Sequence, residues 1–340
     1  MNPRHRRLLI PGLLLALLAI VVISSVANRS DAATSAPQVV STLSDGRINE
    51  SSGLVVSPDD PDRAYTINDS GNAPDVYAVD IATGRTLGTT TVDADFVDTE
   101  ALSIDADGTL WVADTGDNRG NRTDAALYSL PQIADGTTRV SATRYPITYP
   151  GGPLDVEALA ISPTTGAKIL ISKGLFGGTA FSLPDPLVPD RPNRAVAMTG
   201  PVPGLVTDAA FTPDGRFVVA RDYSESYVLD PSTWAIVSSG SLPPAPQGET
   251  LAMEAGGRSF LVGSEGTGST LTRIPFAEPT PDAEPEAASS TASPAPTSDG
   301  QARVAVPPKG GGFAGATWFW GFVVVALLAA ISGAMTTKRR

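Results

Sequence analysis

The sequence predicts an all-β protein: a single β-propeller of about five blades, with an N-terminal export segment and a C-terminal transmembrane helix. Three observations support this prediction. Five similar segments of strand, turn and strand recur along the chain, no amphipathic helical period is present between them, and an apolar segment lies at each end.

Residues 1–27 predict a signal peptide or, if they are not cleaved, a signal anchor. A basic head with three arginines precedes an apolar run that begins at Leu8. The small residues Ser25 and Ala27 have the spacing of a signal-peptidase site. The apolar run is long for a signal peptide, so the cleaved and the retained forms both stay open.

The other end of the chain predicts a linker and a membrane span. Residues 277–312 are rich in Pro, Ala and Ser and predict a disordered linker, because they carry too little apolar surface to fold. Residues 313–335 are long and apolar enough for a transmembrane helix, and residues 336–340 form a basic cytoplasmic tail. We therefore expect a cell-membrane protein with one span, or two if the N-terminal segment is retained. The β-propeller, residues 36–276, and the linker after it would lie outside the cytoplasm.

Composition excludes several classes of function. The chain has no cysteine, and exported proteins without disulfides are typical of bacteria, which favours a bacterial cell surface. The net charge is −12, and without the six basic residues of the two ends it is −18, which disfavours a nucleic-acid partner. The single histidine is His5, in the export segment, so the domain has none for a Ser-His-Asp triad or a zinc site. No nucleotide cofactor is expected.

Five repeats carry the prediction of the propeller. Each has a short alternating strand, a turn with Pro, Asp or Gly, a strongly apolar second strand, a polar cluster and then a third strand. Repeats of this size with three or four strands are typical of β-propeller blades. The repeats begin at Ser51, Thr99, Val156, Val206 and Gly248.

Two details concern the number of blades. A strand predicted in Pro37–Ile48 precedes the first repeat and would complete the last blade, which closes the ring and removes open edges. The unit between Glu100 and Glu157 is long enough to hold an extra blade, so six blades are the alternative count.

Propeller geometry brings residues of all five repeats to one end of the central channel. The first two strands of a blade are antiparallel, so the residue that opens the first strand and the residue that ends the second share a rim. Those positions hold Ser52, Glu100, Glu157, Thr207 and Glu249, and Asn68, Asp69, Asp114, Lys173, Arg221, Asp222 and Glu265.

The carboxylates of this set predict a site for a divalent cation. Acids that share a channel mouth repel one another unless they are protonated, paired or bridged by a cation, and oxygen ligands without His or Cys favour Ca²⁺ or Mg²⁺ over zinc. Lys173 and Arg221 would pair with these acids or hold an anionic substrate. A packing role for each glutamate is the alternative. The predicted metal ligands are Glu100, Glu157, Glu249, Asp69, Asp114, Asp117 and Glu265.

The densest polar run is "DTGDNRGNR", Asp114 to Arg122. It could supply Asp114, Asp117 and Asn118 to a cation, although its glycines do not fit the EF-hand spacing. The other interpretation is a turn held by Asx and arginine hydrogen bonds.

Five motifs follow one another between Ile48 and Phe276: "INDSG", "ADTGDNRGNR", "VEALAISPTTG", "VTDAAFTPDG" and "GSEG". Their order resembles a group of bacterial exported β-propeller proteins, largely uncharacterised and described as WD40-like or phytase/esterase-like. A glutamate that opens a first strand is also similar to the metal ligand of gluconolactonase-type propellers, and acids with Lys and Arg at a channel mouth are similar to β-propeller phytases. Ser52 and Thr207 interrupt the glutamate ring, and the dense calcium ligands of the phytases are missing.

Two classes of function follow from these residues. The favoured one is a non-catalytic surface module whose propeller face binds a protein, a glycan, a small molecule or a cation, because no complete catalytic set can be assembled. The other is a Ca²⁺- or Mg²⁺-dependent hydrolase of phosphate esters or lactones. It would use Glu100, Glu157, Glu249 and Asp114 on the metal, with Lys173 or Arg221 on the substrate.

Overall fold

The structure, a computed structural model, describes residues 36–131 and 133–279. These residues form strands joined by turns, and no helix is present among them. The strands are β1 (Gln38–Thr42), β2 (Ser51–Val56), β3 (Arg63–Asn68), β4 (Asp75–Asp80), β5 (Thr86–Asp93), β6 (Thr99–Ile104), β7 (Leu110–Asp114), β8 (Ala126–Leu130), β9 (Gly136–Ser141), β10 (Thr143–Thr148), β11 (Val156–Ile161), β12 (Lys168–Ser172), β13 (Ala180–Ser182), β14 (Asn193–Arg194), β15 (Val196–Ala197), β16 (Asp208–Phe211), β17 (Val218–Arg221), β18 (Glu225–Leu229), β19 (Ile236–Ser241), β20 (Thr250–Met253), β21 (Ser259–Gly263) and β22 (Thr270–Pro275).

The strands form five separate sheets, which are the five blades of a propeller. Blades I to V begin with the innermost strands β2, β6, β11, β16 and β20, and each of the five repeats supplies one of them. Each innermost strand contacts the innermost strands of the two neighbouring blades, and β2 of blade I contacts β20 of blade V. The prediction of an all-β propeller with about five blades is therefore confirmed.

The ring is closed by the strand that precedes the first repeat. Strand β1 pairs antiparallel with β22 and becomes the outermost strand of blade V, with Gln38 opposite Arg273 and Thr42 opposite Thr270. One blade thus contains strands from both ends of the domain, and opening the ring requires breaking that pairing.

The long second unit, between Glu100 and Glu157, does not contain a sixth blade, so the alternative count of six is wrong. Its extra residues form β9, which pairs parallel with β5 and adds a fifth strand to blade I. In the same manner β14 pairs parallel with β10 and extends blade II. These two strands cover the outer edges of blades I and II, which would otherwise present unpaired backbone groups.

The hydrophobic core consists of layers between neighbouring blades. Among the described residues there are five clusters, one for each blade pair around the ring. Between blades I and II, for example, Tyr65 and Val76 pack with Leu102 and Val112. The alternating apolar residues of each strand supply these layers, since successive side chains of a strand point to opposite faces of its blade.

Three of the innermost strands contain a bulge at the channel mouth, and in two of them the extra residue is a glutamate. In β6 the pairing passes from Thr99 opposite Asp114 to Ala101 opposite Ala113, so Glu100 is the extra residue. In β11 the extra residue is Glu157 in the same way. A bulge turns the side chain of the extra residue out of the regular alternation, which aims both glutamates at the mouth rather than at a neighbouring blade.

The predicted export segment, linker, transmembrane helix and basic tail lie outside the described residues. Within 36–131 and 133–279, no helix has the length and apolar character needed to cross a membrane.

Candidate functional site

At one end of the channel, the innermost strand of each blade begins and the second strand of the same blade ends. A backbone hydrogen bond joins the two at this end in four blades, as in the 2.8 Å bond from Asp69 N to Glu50 O and the 2.9 Å bond from Lys173 N to Asp155 O. The equivalent bonds run from Gly116 N to Asp98 O and from Glu265 N to Gln247 O.

Seven carboxylates lie close together at this end. They form three overlapping groups, and within each group the oxygen atoms lie within 4.8 Å of one another. The groups share members, so they form one continuous band across the channel. We call these seven residues the acidic mouth: Asp69, Glu249 and Glu265; Asp69, Asp98 and Glu100; Glu100, Asp155 and Glu157.

Glu100 occupies the centre of the acidic mouth and belongs to two of the groups. Only 3% of the residue is exposed, and no described residue donates a hydrogen bond to its carboxylate. Burial, together with the charges of Glu157 and Asp69, raises the pKa of Glu100 well above its ordinary value. A buried carboxylate without a donor is costly unless it is protonated or bound to a cation.

Gly116 makes the position of Glu100 possible. A Cβ atom on Gly116 would lie 2.1 Å from Oε1 of Glu100 and 2.7 Å from Oδ2 of Asp98. Both carboxylates therefore approach a stretch of backbone that only glycine leaves open. Gly116 belongs to the dense polar run from Asp114 to Arg122.

Glu157 forms an ion pair with Lys173. Among the described residues, no other cationic side chain forms an ion pair with the acidic mouth. Nζ of Lys173 lies 2.9 Å from Oε1 of Glu157 and 5.4 Å from the centre of the Tyr223 ring. Burial raises the pKa of Glu157 to about 8, although Lys173 acts in the opposite direction. Burial lowers the pKa of Lys173, but Glu157 and Tyr223 outweigh it and leave that pKa raised.

The opposite side of the mouth contains Asp69, Glu249 and Glu265. Nε2 of Gln247 donates to Oε1 of Glu249 at 2.9 Å and to Oε1 of Glu265 at 2.8 Å, so one amide holds two carboxylates together. Burial and a hydrogen bond to Glu249 raise the pKa of Glu265 to about 8. Burial also raises the pKa of Asp69 to about 6, and its acidic neighbours add to this.

Asp98 and Asp155 are part of the mouth although the sequence reasoning missed them. Each stands two residues before a bulged glutamate, in Asp98-Thr99-Glu100 and Asp155-Val156-Glu157. This repeated Asp-x-Glu pattern is the signal that could have identified them. Oδ1 of Asp155 accepts a 2.7 Å hydrogen bond from the backbone N of Asp117, and burial raises the pKa of Asp98.

Asp114 and Asp117, both predicted as ligands, use their carboxylates elsewhere. Oδ1 of Asp114 accepts from the backbone N of Asp98 at 2.8 Å and from Nη2 of Arg122 at 2.9 Å. Asp117 accepts from the backbone N atoms of Asn121 at 3.0 Å and Arg122 at 2.8 Å. This loop therefore has the hydrogen bonds of the Asx and arginine turn, and Asp117 reaches the mouth only through its backbone N–H.

Arg221, predicted to hold an anion, is buried between blades IV and V. Its Nη1 donates to the carbonyl oxygens of Thr250 and Gly263, both at 3.1 Å, and its Nε donates to that of Asp222 at 3.0 Å. A Cβ atom on Gly248 would lie 1.8 Å from its Nη2. Burial lowers the pKa of Arg221 to about 10. Its guanidinium thus links two blades through their backbones.

The donors of the acidic mouth suit a hard divalent cation. All seven side chains offer carboxylate oxygens, which Ca²⁺ and Mg²⁺ prefer, and the described part of the chain has neither His nor Cys to favour zinc. Bringing a cation to Glu100 would offset both the burial and the mutual repulsion of these acids.

Fold and site together define a five-bladed β-propeller with an acidic channel mouth. No protein-family model matches the sequence, and no curated protein matches it. A solved structure similar to this chain is a gluconolactonase from Xanthomonas campestris, described as important in glucose secondary metabolic pathways. The two are 16% identical, the match covers 66% of this chain and 71% of that one, and the TM-score is 0.41. A likeness of this degree carries no inference about activity.

Proposed function

We propose that this protein is a cation-dependent binding module whose acidic mouth takes up a divalent cation, Ca²⁺ above all. The observation that carries the proposal is Glu100: the residue is only 3% exposed, no described residue donates a hydrogen bond to its carboxylate, and it belongs to two of the three groups of acids. A nearly buried carboxylate whose close neighbours are other acids favours a cation as its partner, because a cation offsets both the burial and the repulsion.

The arrangement favours Ca²⁺ over Mg²⁺. Ca²⁺ accepts six to eight oxygen ligands in flexible geometry, whereas Mg²⁺ demands a near-ideal octahedron and keeps several waters. The acidic mouth offers carboxylates from four blades, I, II, III and V, and they form an extended band rather than a compact octahedron. A larger ion with variable coordination fits such a band better.

The predicted ends of the chain complete the proposal. A transmembrane helix after a Pro-rich linker would hold the propeller outside the cytoplasm and away from the bilayer, with the linker reaching on the order of 100 Å if it is mostly polyproline-like. A cell surface also supplies millimolar Ca²⁺ in many environments, which matches the weaker class of extracellular calcium sites. The module would then present its mouth to a surface partner.

Calorimetric titration of the purified full-length protein with CaCl₂ and MgCl₂ tests the proposal. We expect Ca²⁺ to bind, and Glu100→Gln to weaken that binding by at least about tenfold, because the variant loses a central charged ligand. Glu254→Gln is the matched control, since Glu254 is paired with Arg273 at 2.6 Å and lies outside the mouth. Equal affinity in the wild type and Glu100→Gln, or no binding by the folded wild type, would contradict the proposal.

A metal-dependent hydrolase of phosphate esters or lactones is the second candidate function. The ammonium of Lys173 favours it, because a cation beside metal ligands could hold an anionic group of a substrate. Against it, Lys173 is already held by Glu157, and Arg221 is used between blades. Turnover of such esters by the Ca²⁺-loaded protein would decide for this candidate.

A further inference from the structure

One loop beside the acidic mouth exposes two large apolar side chains. It runs from residue 173 to residue 179, between β12 and β13 of blade III. Phe176 is 91% exposed and Leu175 is 67% exposed, the two highest values among the exposed large hydrophobic residues of the described chain. Single exposed apolar residues are ordinary, but two adjacent ones at the tip of a loop form a contact surface.

The conformation of this loop is fixed by close backbone packing. Leu205 N donates to Gly174 O at 2.9 Å, and Gly178 N donates to Pro203 O at 3.0 Å. A Cβ atom on Gly174 would lie 2.1 Å from Gly177 O, so a larger residue would force the loop to move. The loop therefore holds its two apolar side chains in solvent as part of a tight turn.

The loop stands on the same rim as the acidic mouth. It begins at Lys173, whose Nζ contacts Glu157, and its tip follows three residues later. Val97, which is 49% exposed and immediately precedes Asp98, adds an apolar side chain to the rim. The face thus combines exposed apolar groups with a cluster of seven carboxylates.

We propose that Leu175 and Phe176, together with the acidic mouth, bind a peptide segment of another protein that carries a basic residue near an apolar one. The basic side chain would lie over the carboxylates and the apolar side chain against Phe176. The charge of the mouth supports this occupant once a divalent cation is bound, because the cation favours the ionised carboxylates and these seven acids outnumber the positive charges of the cation and of Lys173. An anionic lipid surface, which exposed Phe and Leu could otherwise enter, would be repelled by the same charge. This inference names the partner of the proposed binding module and so rests on that function.

A peptide array tests the inference. The array contains short peptides in which one Lys or Arg and one Leu, Phe or Trp are separated by zero to four residues, with matched sets that carry Glu in place of the base or Ser in place of the apolar residue. Binding to the full-length protein is measured by fluorescence anisotropy in the presence of CaCl₂. The variants are Phe176→Ser and, as a control, Val196→Ser, which removes an apolar residue of 60% exposure from an outer strand of the same blade.

We expect a subset of the basic and apolar peptides to bind, with Phe176→Ser weakening their affinity about tenfold and Val196→Ser leaving it unchanged. The Glu and Ser sets should not bind. Equal affinity in both variants, or preferential binding to vesicles of phosphatidylcholine and phosphatidylglycerol, would overturn the inference. Calcium titration of Phe176→Ser separates the two proposals: if Ca²⁺ binds normally while no peptide binds the wild type, the docking surface fails and the cation site stands.

Discussion

Two groups of buried charges in different blades differ in how those charges are satisfied. In blade IV, Asp208 accepts hydrogen bonds from the backbone N atoms of Ala209 at 2.8 Å and Leu251 at 2.6 Å. Arg221, which lies opposite Asp208 on the neighbouring strand β17, donates to three carbonyl oxygens. In blade II, Glu100 is nearly as buried, yet no described residue donates to its carboxylate.

The difference separates a structural role from a binding role. Burial raises the pKa of Asp208 just as it raises that of Glu100, so a shifted pKa alone does not identify a site. Hydrogen bonds from the fold offset part of the burial of the first group, and no described residue donates to the carboxylate of the second. We therefore expect changes in blade IV to alter stability and changes at Glu100 to alter cation binding.

The largest expected effect is on stability, from Arg221→Met. The variant removes the guanidinium that donates to the carbonyl oxygens of Thr250, Gly263 and Asp222, the first two of which accept it in a buried position. We expect the free energy of unfolding to fall by roughly 3–5 kcal/mol, measured by urea denaturation. Arg216→Met is the control, because Arg216 is half exposed and should cost less than about 1 kcal/mol. A similar small loss in both variants would show that Arg221 is not a structural link.

A smaller effect is expected from pH on the cation-free protein. Burial raises the pKa of Glu157 and Glu265 to about 8 and that of Asp69 to about 6. Between pH 4 and pH 8 the unfolded chain therefore releases protons that the folded protein keeps, so stability falls as pH rises. Asp45, whose pKa the Arg47 hydrogen bond lowers to about 2, titrates below this window.

Differential scanning calorimetry in EDTA and in CaCl₂ checks this pH dependence. From pH 5 to pH 8 we expect the melting temperature in EDTA to fall by roughly 3 °C or more, and CaCl₂ to restore most of it at pH 8 but little at pH 5. A melting temperature that rises over this interval in EDTA would mean that the fold itself stabilises the ionised acids of the mouth, as Arg273 and Ser259 stabilise the ionised form of Glu254.

The architecture could be predicted from the sequence because each repeat corresponds to one blade. Alternation, turn residues and the recurrence of one pattern identify each blade, and the strand before the first repeat identifies the closure. The sequence left a sixth blade open because a single added strand, such as β9, and the first strand of a new blade have the same sequence pattern. Which sheet a short strand joins depends on contacts that periodicity does not contain.

The site was less accessible to sequence reasoning. Position along the strands placed Glu100, Glu157 and Glu249 at the rim, but the same reasoning assigned Arg221 to it without revealing that its side chain turns between blades. Asp98 and Asp155 were missed because they precede the strand and read as loop residues. Whether a charged group faces the channel or a neighbouring blade is decided by bulges and by the glycines around it, which sequence spacing does not specify.

The smallest expected effect sharpens the comparison most, because the same substitution should act in opposite directions at two glutamates. Glu254 is paired with Arg273 and has a lowered pKa, since hydrogen bonds from Arg273 and Ser259 outweigh burial, so Glu254→Gln should destabilise the protein by about 0.5–1 kcal/mol. Glu100 has no such partner and only acidic neighbours, so in EDTA at pH 8 Glu100→Gln should stabilise the protein by about 1 kcal/mol. Urea denaturation of both variants measures the two signs. If both variants are destabilised, Glu100 is held by the fold as Glu254 is, and its carboxylate needs no cation.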